Sequence, residues 1–234
     1  MNFNKIIDIP LSERLARLIR QAIFTGQLPA GSKIPQDDLA EKFGVSRMPI
    51  REALVILNHE GLVILEPRRG AWVASLSLQT VDESYTMRRW TESQAVSLSV
   101  PLLNSEDLEK ARIAITHLEA AESAQDPDAF VEANAEFHAI LRSRCPWPKL
   151  SSWADTLWNG FPPLTPAFVA NQMVHDRAEH RILWEAASER NGPRAARVMK
   201  EHIHRSWQSA REHFHKLGWP DTPVEVPGDT HATR

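Results

Sequence analysis

Residues 38–54 read DLAEKFGVSRMPIREAL, and this stretch decides the fold of the first part of the chain. Its apolar residues follow helical spacing on both sides of Gly44, which predicts two short helices separated by a turn. Ser46 stands where the second of these helices begins and is expected to cap it. The inward face of that helix comprises Ile50, Ala53, Leu54 and Leu57. Arg47 and Arg51, four residues apart, then share its outward face.

The flanking segments add one helix and a two-stranded ribbon. Residues 12–24 carry apolar side chains at helical spacing, with Ser12 expected as the helix cap. After Gly61, two short apolar runs at 62–65 and 71–73 enclose a basic turn, which predicts a ribbon. Three short helices followed by such a ribbon make a winged helix-turn-helix.

Arginines occur at the two places where such a fold meets a DNA duplex. Arg47 and Arg51 are at the start of the third helix, which enters the major groove, and Arg69 with Gly70 is at the tip of the wing. We therefore expect double-stranded DNA as a partner, contacted by Ser46, Arg47, Arg51, Arg69 and Gly70. The alternative is a small helical cap domain that happens to end in a hairpin, with each arginine a solvated surface charge.

The composition is that of an ordinary globular protein, with 234 residues, 42% hydrophobic residues and a formal net charge of -3. Residues 1–75 contain ten Lys and Arg against eight Asp and Glu, a balance of +2, so the remainder carries -5. A mildly basic head on an acidic body fits a polyanion-binding module joined to another domain. Cys145 is the only cysteine, which excludes an internal disulfide. No apolar run approaches the roughly 18 residues of a membrane span, and no secretory signal is evident, so we expect a cytoplasmic protein without a membrane partner.

The chain is predicted to divide into two domains and a tail. Residues 1–75 form the winged helix-turn-helix, and residues 76–79 a polar linker. Residues 80–217 show only helical periodicity, which predicts an all-α bundle of about six helices, one of them capped by Ser105. Residues 218–234 contain three prolines and no apolar periodicity, so we expect a disordered tail. The fold class is therefore mainly α.

Three histidines are candidates for one metal site in the bundle. Asn134 and His138 are four residues apart and point from one face of a helix. His180 and His202 are on the last two helices, which antiparallel packing would bring toward that face. Three neutral imidazoles and an amide oxygen suit zinc or a similar divalent ion. Periodicity alone leaves open the alternative that each histidine is structural or exposed.

Arg88 is a candidate for binding a carboxylate in the same bundle. A planar guanidinium inside a polar pocket can hold a carboxylate through two hydrogen bonds. Tyr85, about one turn earlier, can add a hydroxyl. Glu92, four residues after Arg88, is the rival partner. If Glu92 neutralises Arg88, the acid-binding hypothesis loses its main attachment point.

Both halves of the chain resemble one known family. The segment 38–54, with Leu57, residues 60–63 and Arg69-Gly70, is similar to the N-terminal domain of GntR-family bacterial transcription regulators. The rest resembles the helical ligand-sensing domain of the FadR subfamily. The features that carry this second resemblance are Arg88 with Glu92 and the segments EFH at 136–138, EHRI at 179–182, AA at 195–196 and HI at 202–203. Together the resemblances cover residues 10–215.

The resemblance implies a dimeric regulator whose effector, a small organic acid, binds in the bundle beside a metal ion. The implied metal ligands are Asn134, His138, His180 and His202, with zinc as the expected ion and nickel or another transition metal as alternatives. The expected effector-binding residues are Tyr85, Arg88 and Asn134. The family commonly has Asp as the first ligand, so the neutral amide of Asn134 is expected to weaken cation binding and to favour an anionic effector. Met48 stands where the family usually has Thr, which removes one hydroxyl contact to phosphate.

Two other functions compete with this one. A metal-dependent hydrolase would use the three histidines to activate water. The sequence has no HExxH or GxSxG motif and no paired carboxylates at the site, and a metal site without a positioned base is more often structural or sensory. A purely architectural DNA binder would not respond to small acids. We therefore predict a ligand-responsive transcription regulator and not an enzyme.

Overall fold

The structure is a computed structural model that describes residues 10–160 and 172–223. Within these residues the chain forms two compact units. The first unit comprises residues 10–78 and 217–223, and the second spans Gln79–Lys216.

Three helices and a hairpin build the first unit. The helices are α1 (Leu11–Phe24), α2 (Gln36–Phe43) and α3 (Arg47–His59). The strands are β1 (Val63–Glu66) and β2 (Gly70–Val73), which pair antiparallel with Val63 opposite Val73. The predicted winged helix-turn-helix is confirmed.

The core of the first unit follows the apolar pattern of the sequence. The inward residues of α3 are at most 1% exposed, and they are Ile50, Ala53, Leu54 and Leu57. Gly44 ends α2 in the left-handed conformation, with φ of 64°. The caps differ from the prediction: α1 begins directly after Pro10, so Ser12 lies inside the helix. Ser46 does occupy the N-cap of α3, but its side chain makes no capping hydrogen bond.

The second unit is helical throughout its described part. Its helices are α4 (Leu78–Ser99), α5 (Ser105–Ala124), α6 (Pro127–Arg142), α7 (Pro148–Gly160), α8 (Gln172–Ser188) and α9 (Gly192–Lys216), with a short 3₁₀ turn at Val100–Leu102. α5 packs against α6 and α8, and α8 packs against α9. The prediction of an all-α bundle of about six helices is confirmed for the described residues.

Local chemistry sets where these helices begin. Asn104, not Ser105, caps α5, because its side chain accepts a hydrogen bond from the Asp107 amide while the Asp107 carboxylate accepts one from the Asn104 amide. Asp126 caps α6, whose first residue is a proline. Gly192 opens α9 against α4, where an added Cβ would lie 2.2 Å from the Ser97 carbonyl oxygen. Only glycine permits that approach.

Residues 218–223, predicted as the start of a disordered tail, belong to the first unit. Trp219 is 9% exposed, and its ring centroid is 6.4 Å from that of Phe24 on α1. The Leu78 amide donates a hydrogen bond of 2.8 Å to the Pro220 carbonyl. A single indole can bury a large apolar area. Trp219 therefore packs this segment against the first unit, although the segment has no apolar periodicity. Residues 224–234 of the predicted tail lie outside the described residues, and α4 begins inside the predicted linker 76–79.

Candidate functional site

The start of α3 presents an exposed arginine pair on the first unit. Arg47 and Arg51 are both exposed, as is Ser46 before them. Arg47 Nε lies 2.6 Å from Asp37 Oδ1, with 65% and 64% of the two side chains exposed. This ion pair is therefore at the surface, where solvent and ligands can compete for it. The guanidinium remains accessible to a partner.

The tip of the wing carries further positive charge. Arg69 is exposed and lies 3.1 Å from Glu66, and Arg68 beside it has a φ of 66°. Gly70 has a φ of 109°, a backbone conformation that residues other than glycine rarely adopt. A groove of about 850 Å³ runs between α3 and the wing and is lined by both arginine pairs. Four of the five predicted DNA contacts, Arg47, Arg51, Arg69 and Gly70, thus line one concave surface.

Three histidines from α6, α8 and α9 meet inside the second unit. His138, His180 and His202 are each at most 4% exposed, and their ligand nitrogens all lie within 4.8 Å of one another. The Nε2 atoms of His138 and His180 are 3.2 Å apart. Asn134 is one turn before His138 on α6 and is 2% exposed. The helices therefore bring together the three histidines that the resemblance implied as metal ligands, and they bury Asn134 one turn away on α6.

Two of the imidazoles, those of His138 and His180, are held neutral. Burial chiefly lowers the pKa of His138 to about 4, although its hydrogen bond to Glu92 opposes the shift. Burial, and then the neighbouring His202 and His138, lower the pKa of His180 well below its ordinary value. Neutral imidazole is the form that offers a lone pair to a metal.

Carboxylates orient two of the rings. His202 Nδ1 donates to Glu179 Oε2 at 2.6 Å, and His138 Nδ1 faces Glu92 Oε2 at 3.4 Å. In a neutral ring whose Nδ1 donates to a carboxylate, Nε2 carries the lone pair and can offer it to a metal ion. Burial would raise the pKa of Glu179, but His202 and then Arg205 lower it below its ordinary value. Glu179 is therefore an ionised acceptor.

The cluster fits a divalent cation. The Oδ1 atom of Asn134 is buried and has no hydrogen-bond partner within the described residues, and the same is true of His180 Nδ1. A buried amide oxygen without a donor, one turn from His138 on α6, can accept a positive partner. Zinc and similar ions accept this set of nitrogen and oxygen donors.

Arg88 lies beside the histidines and is paired with Glu92. Its Nε donates to Glu92 Oε1 at 2.8 Å, so the rival partner suggested by the sequence is present. The guanidinium carbon is 5.0 Å from the ring centres of both Tyr85 and Trp158. Burial would raise the pKa of Glu92, but Arg88, His138 and Arg142 together lower it to about 2. One oxygen of Glu92 thus serves Arg88 and the other serves His138.

Sequence reasoning missed two residues of this site. Arg142 lies one turn after His138 on α6 and contacts Glu92 Oε2 at 3.4 Å. Glu179 holds His202 and is itself paired with Arg205. The four-residue spacing from Asn134 to His138 continues to Arg142, so the helical period was a usable signal for it. Glu179 and His202 are on different helices, so no spacing in the sequence predicts their contact.

No helix in the two described stretches, 10–160 and 172–223, is both long and apolar enough to cross a membrane.

Known sequence families match both units. Residues 11–73 match "Bacterial regulatory proteins, gntR family", and residues 83–205 match the "FCD domain". The transcriptional regulator YdhC of Bacillus subtilis is 35% identical over 53% of this chain and 55% of its own length. The transcriptional repressor RspR of Escherichia coli is 22% identical over 87% of this chain and 90% of its own. The gluconate operon transcriptional repressor of Bacillus subtilis is 30% identical over 68% of this chain and 64% of its own length.

A solved structure has the same fold. Escherichia coli McbR/YncC superposes with a TM-score of 0.70 at 21% identity, covering 90% of this chain and 100% of that one. The relatives described above are named as regulators, so the hydrolase alternative finds no support. The FCD match fits the FadR-type architecture. The chain belongs to the GntR family of bacterial transcription regulators, as a member in which an FCD domain follows the winged helix-turn-helix.

Proposed function

We propose that this regulator binds operator DNA as a cytoplasmic homodimer and that a small organic acid changes its affinity for that DNA. The observation that carries the proposal is the exposed arginine pair at the start of α3 in a chain whose second unit buries a cluster of three histidines. An exposed guanidinium pair suits a polyanion, and buried neutral imidazoles suit a small ligand with a metal.

The DNA contacts are made by Ser46, Arg47, Arg51, Arg69 and Gly70. The two arginines of α3 enter the major groove, where a guanidinium can bind both acceptors of a guanine edge. The wing tip, which has left-handed backbone at Arg68 and Gly70, approaches the sugar-phosphate backbone. In a twofold dimer the two α3 helices would contact half-sites about one helical turn apart.

The metal is held by Asn134, His138, His180 and His202. Zinc is the expected ion, with nickel or another transition metal as alternatives. When bound, the ion supplies a Lewis-acidic centre to which an acid can coordinate. Glu92 and Glu179 orient His138 and His202 toward it. The amide of Asn134 contributes no negative charge, so affinity for the ion is lower than a carboxylate would give.

The organic acid binds beside the metal through Arg88, with Tyr85 and Asn134 completing its site. Arg88 lies against two aromatic rings, which hold the guanidinium plane in place. Its Nε is engaged by Glu92, so an incoming carboxylate must share the guanidinium with Glu92 or displace it. Acid binding at Arg88 therefore acts on Glu92, whose other carboxylate oxygen contacts the proposed metal ligand His138.

The test measures DNA binding and metal content on the same protein. Fluorescence anisotropy with a labelled fragment from upstream of the gene should give saturable binding that Arg47→Ala weakens and that organic acids alter. Elemental analysis should find a stoichiometric divalent metal in the wild type and less in His180→Ala. Equal DNA binding by wild type and Arg47→Ala would remove the DNA-contact proposal. Unchanged metal content in His180→Ala would remove the metal proposal.

A further inference from the structure

Helix α6 directs a third polar side chain toward the buried cluster. Asn134, His138 and Arg142 follow each other at intervals of four residues and so share one face of the helix. The first two are the proposed metal ligands. Arg142 is 4% exposed, and its Nε is a buried donor without a hydrogen-bond partner among the described residues. The proposed function gives this guanidinium no role.

Arg142 and Arg88 form a matched pair around one aromatic ring. Their guanidinium carbons lie 5.2 Å and 5.0 Å from the ring centre of Trp158. Arg88 binds one oxygen of Glu92 at 2.8 Å, and Arg142 lies 3.4 Å from the other. The ring of Trp158 also packs 4.8 Å from that of His138. Two cations therefore share a single buried carboxylate next to the histidines.

The second partner of Arg142 is easily displaced. Its Nη2 lies 3.0 Å from Asp155 Oδ1, but 59% of the Asp155 side chain is exposed. A carboxylate in contact with water gains little from such a pair and can be replaced by another carboxylate at small cost. Glu92, in contrast, is fully buried and is held by several partners.

Three arginines near the cluster are each paired with a carboxylate. The arginines are Arg88, Arg142 and Arg205, and the carboxylates that pair with them are Glu92, Asp155 and Glu179. Each of these arginines thus already has a carboxylate partner. The ligands of the proposed metal site include no carboxylate, so a divalent ion adds two positive charges that its ligands do not compensate. Uncompensated charge inside a protein is costly, and a bound dianion would lower that cost more than a bound monoanion would.

We infer that Arg142 is a second anion-binding residue and that the effector is a dicarboxylate. One carboxylate of the effector is bound at Arg88 and the metal, and the other replaces Asp155 at Arg142, across Trp158. The inference rests on the proposed function, because the excess charge comes from the proposed metal. It goes further by giving the acid two anionic groups and by assigning a residue to the second.

Pairs of acids that differ by one carboxylate test the inference. Isothermal titration of the zinc-loaded protein would compare succinate with butyrate, glutarate with valerate and adipate with hexanoate. At least one diacid should bind about tenfold or more tightly than its monoacid, since the second carboxylate gains a charge-assisted contact. Arg142→Gln should weaken diacid binding more than monoacid binding, so that the diacid loses most of its preference. Arg88→Gln should weaken both acids.

Asp155→Asn provides a test that does not depend on replacing a buried arginine. Removing the competing carboxylate should tighten diacid binding several-fold and leave monoacid binding unchanged. Glu136→Gln is the matched control, because it removes a comparably exposed carboxylate from α6 without touching Arg142. Equal tightening by the two variants would overturn the role of Arg142.

The inference and the proposed function can fail separately. Monoacids that bind as tightly as diacids in every pair, or no diacid binding at all, overturn the dicarboxylate inference. If a monoacid still alters DNA binding in the anisotropy assay, the proposed function stands without it. If neither kind of acid binds or alters DNA binding, the acid-responsive function fails as well.

Discussion

Replacing Asp37 by Asn should strengthen DNA binding, because Asp37 competes with DNA for Arg47. The ion pair is 2.6 Å long and about two-thirds exposed on both sides. Exposed pairs of this kind contribute about 0–1 kcal/mol. The Asp37→Asn variant does not have to break this pair when it binds DNA. Its binding free energy should therefore improve by up to that amount, which corresponds to as much as about fivefold in affinity.

The neighbouring Asp38 supplies the control. Asp38 is also exposed on α2, and no ion pair of its side chain is found in the described part of the chain. Asp38→Asn removes the same charge, so it shares the general gain from weaker repulsion of phosphates, which salt screens over about 10 Å. The excess of Asp37→Asn over Asp38→Asn therefore measures the release of Arg47.

A double-mutant cycle completes the measurement. Arg47→Ala alone should weaken binding by about 1–3 kcal/mol if it contacts a base edge. In the Arg47→Ala background, Asp37→Asn and Asp38→Asn should become equal, because there is no guanidinium left to release. The assay is fluorescence anisotropy on one labelled fragment at constant salt. Equal affinities of the two single variants with Arg47 present would refute the reasoning.

Three further predictions concern packing and the buried cluster. Gly192→Ala should lower the thermal midpoint of the metal-free protein by several degrees, since its Cβ would meet the Ser97 carbonyl at 2.2 Å and overpacking costs about 1–3 kcal/mol; an unchanged midpoint would contradict the contact. Trp219→Ala should destabilise the first unit by about 3 kcal/mol and speed amide exchange in α1, where Phe24 loses its cover. Glu179→Gln should weaken zinc binding about 10- to 100-fold in a chelator competition, because His202 loses its orienting carboxylate, whereas Glu185→Gln, an exposed change on the same helix, should have no effect.

The sequence predicted those elements whose apolar residues recur at a regular spacing, because one face of the element packs against the core. The apolar period of α3 identified its buried residues correctly because each of them meets the same core. The prediction of the helix cap was wrong where two capping residues are adjacent, as at Asn104 and Ser105. The residue that caps the helix is the one whose side chain reaches a backbone amide two or three residues later. Trp219 could not be foreseen, because one aromatic residue has no period and its partner lies on α1.

The convergence of the three histidines was predictable from the sequence, whereas their supporting contacts were not. Spacing and resemblance together named the histidines, and the helices do bring them together. The pair of Arg88 and Glu92 was foreseen as a rival because both are on one helix. Glu179 and Asp155 were not, since each meets its partner across two helices, and the sequence holds no measure of how helices cross.

The hydrogen bond from Leu78 to Pro220 has a practical consequence for work on the protein. Leu78 is the last residue of the first unit before the chain enters the bundle, and Leu217 is the first after it leaves. Shortening the chain directly after α9 would remove Trp219 and Pro220, exposing Phe24 and freeing the Leu78 amide. Such a truncation would damage the winged helix-turn-helix itself, and lost DNA binding could then be mistaken for a lost response to the effector.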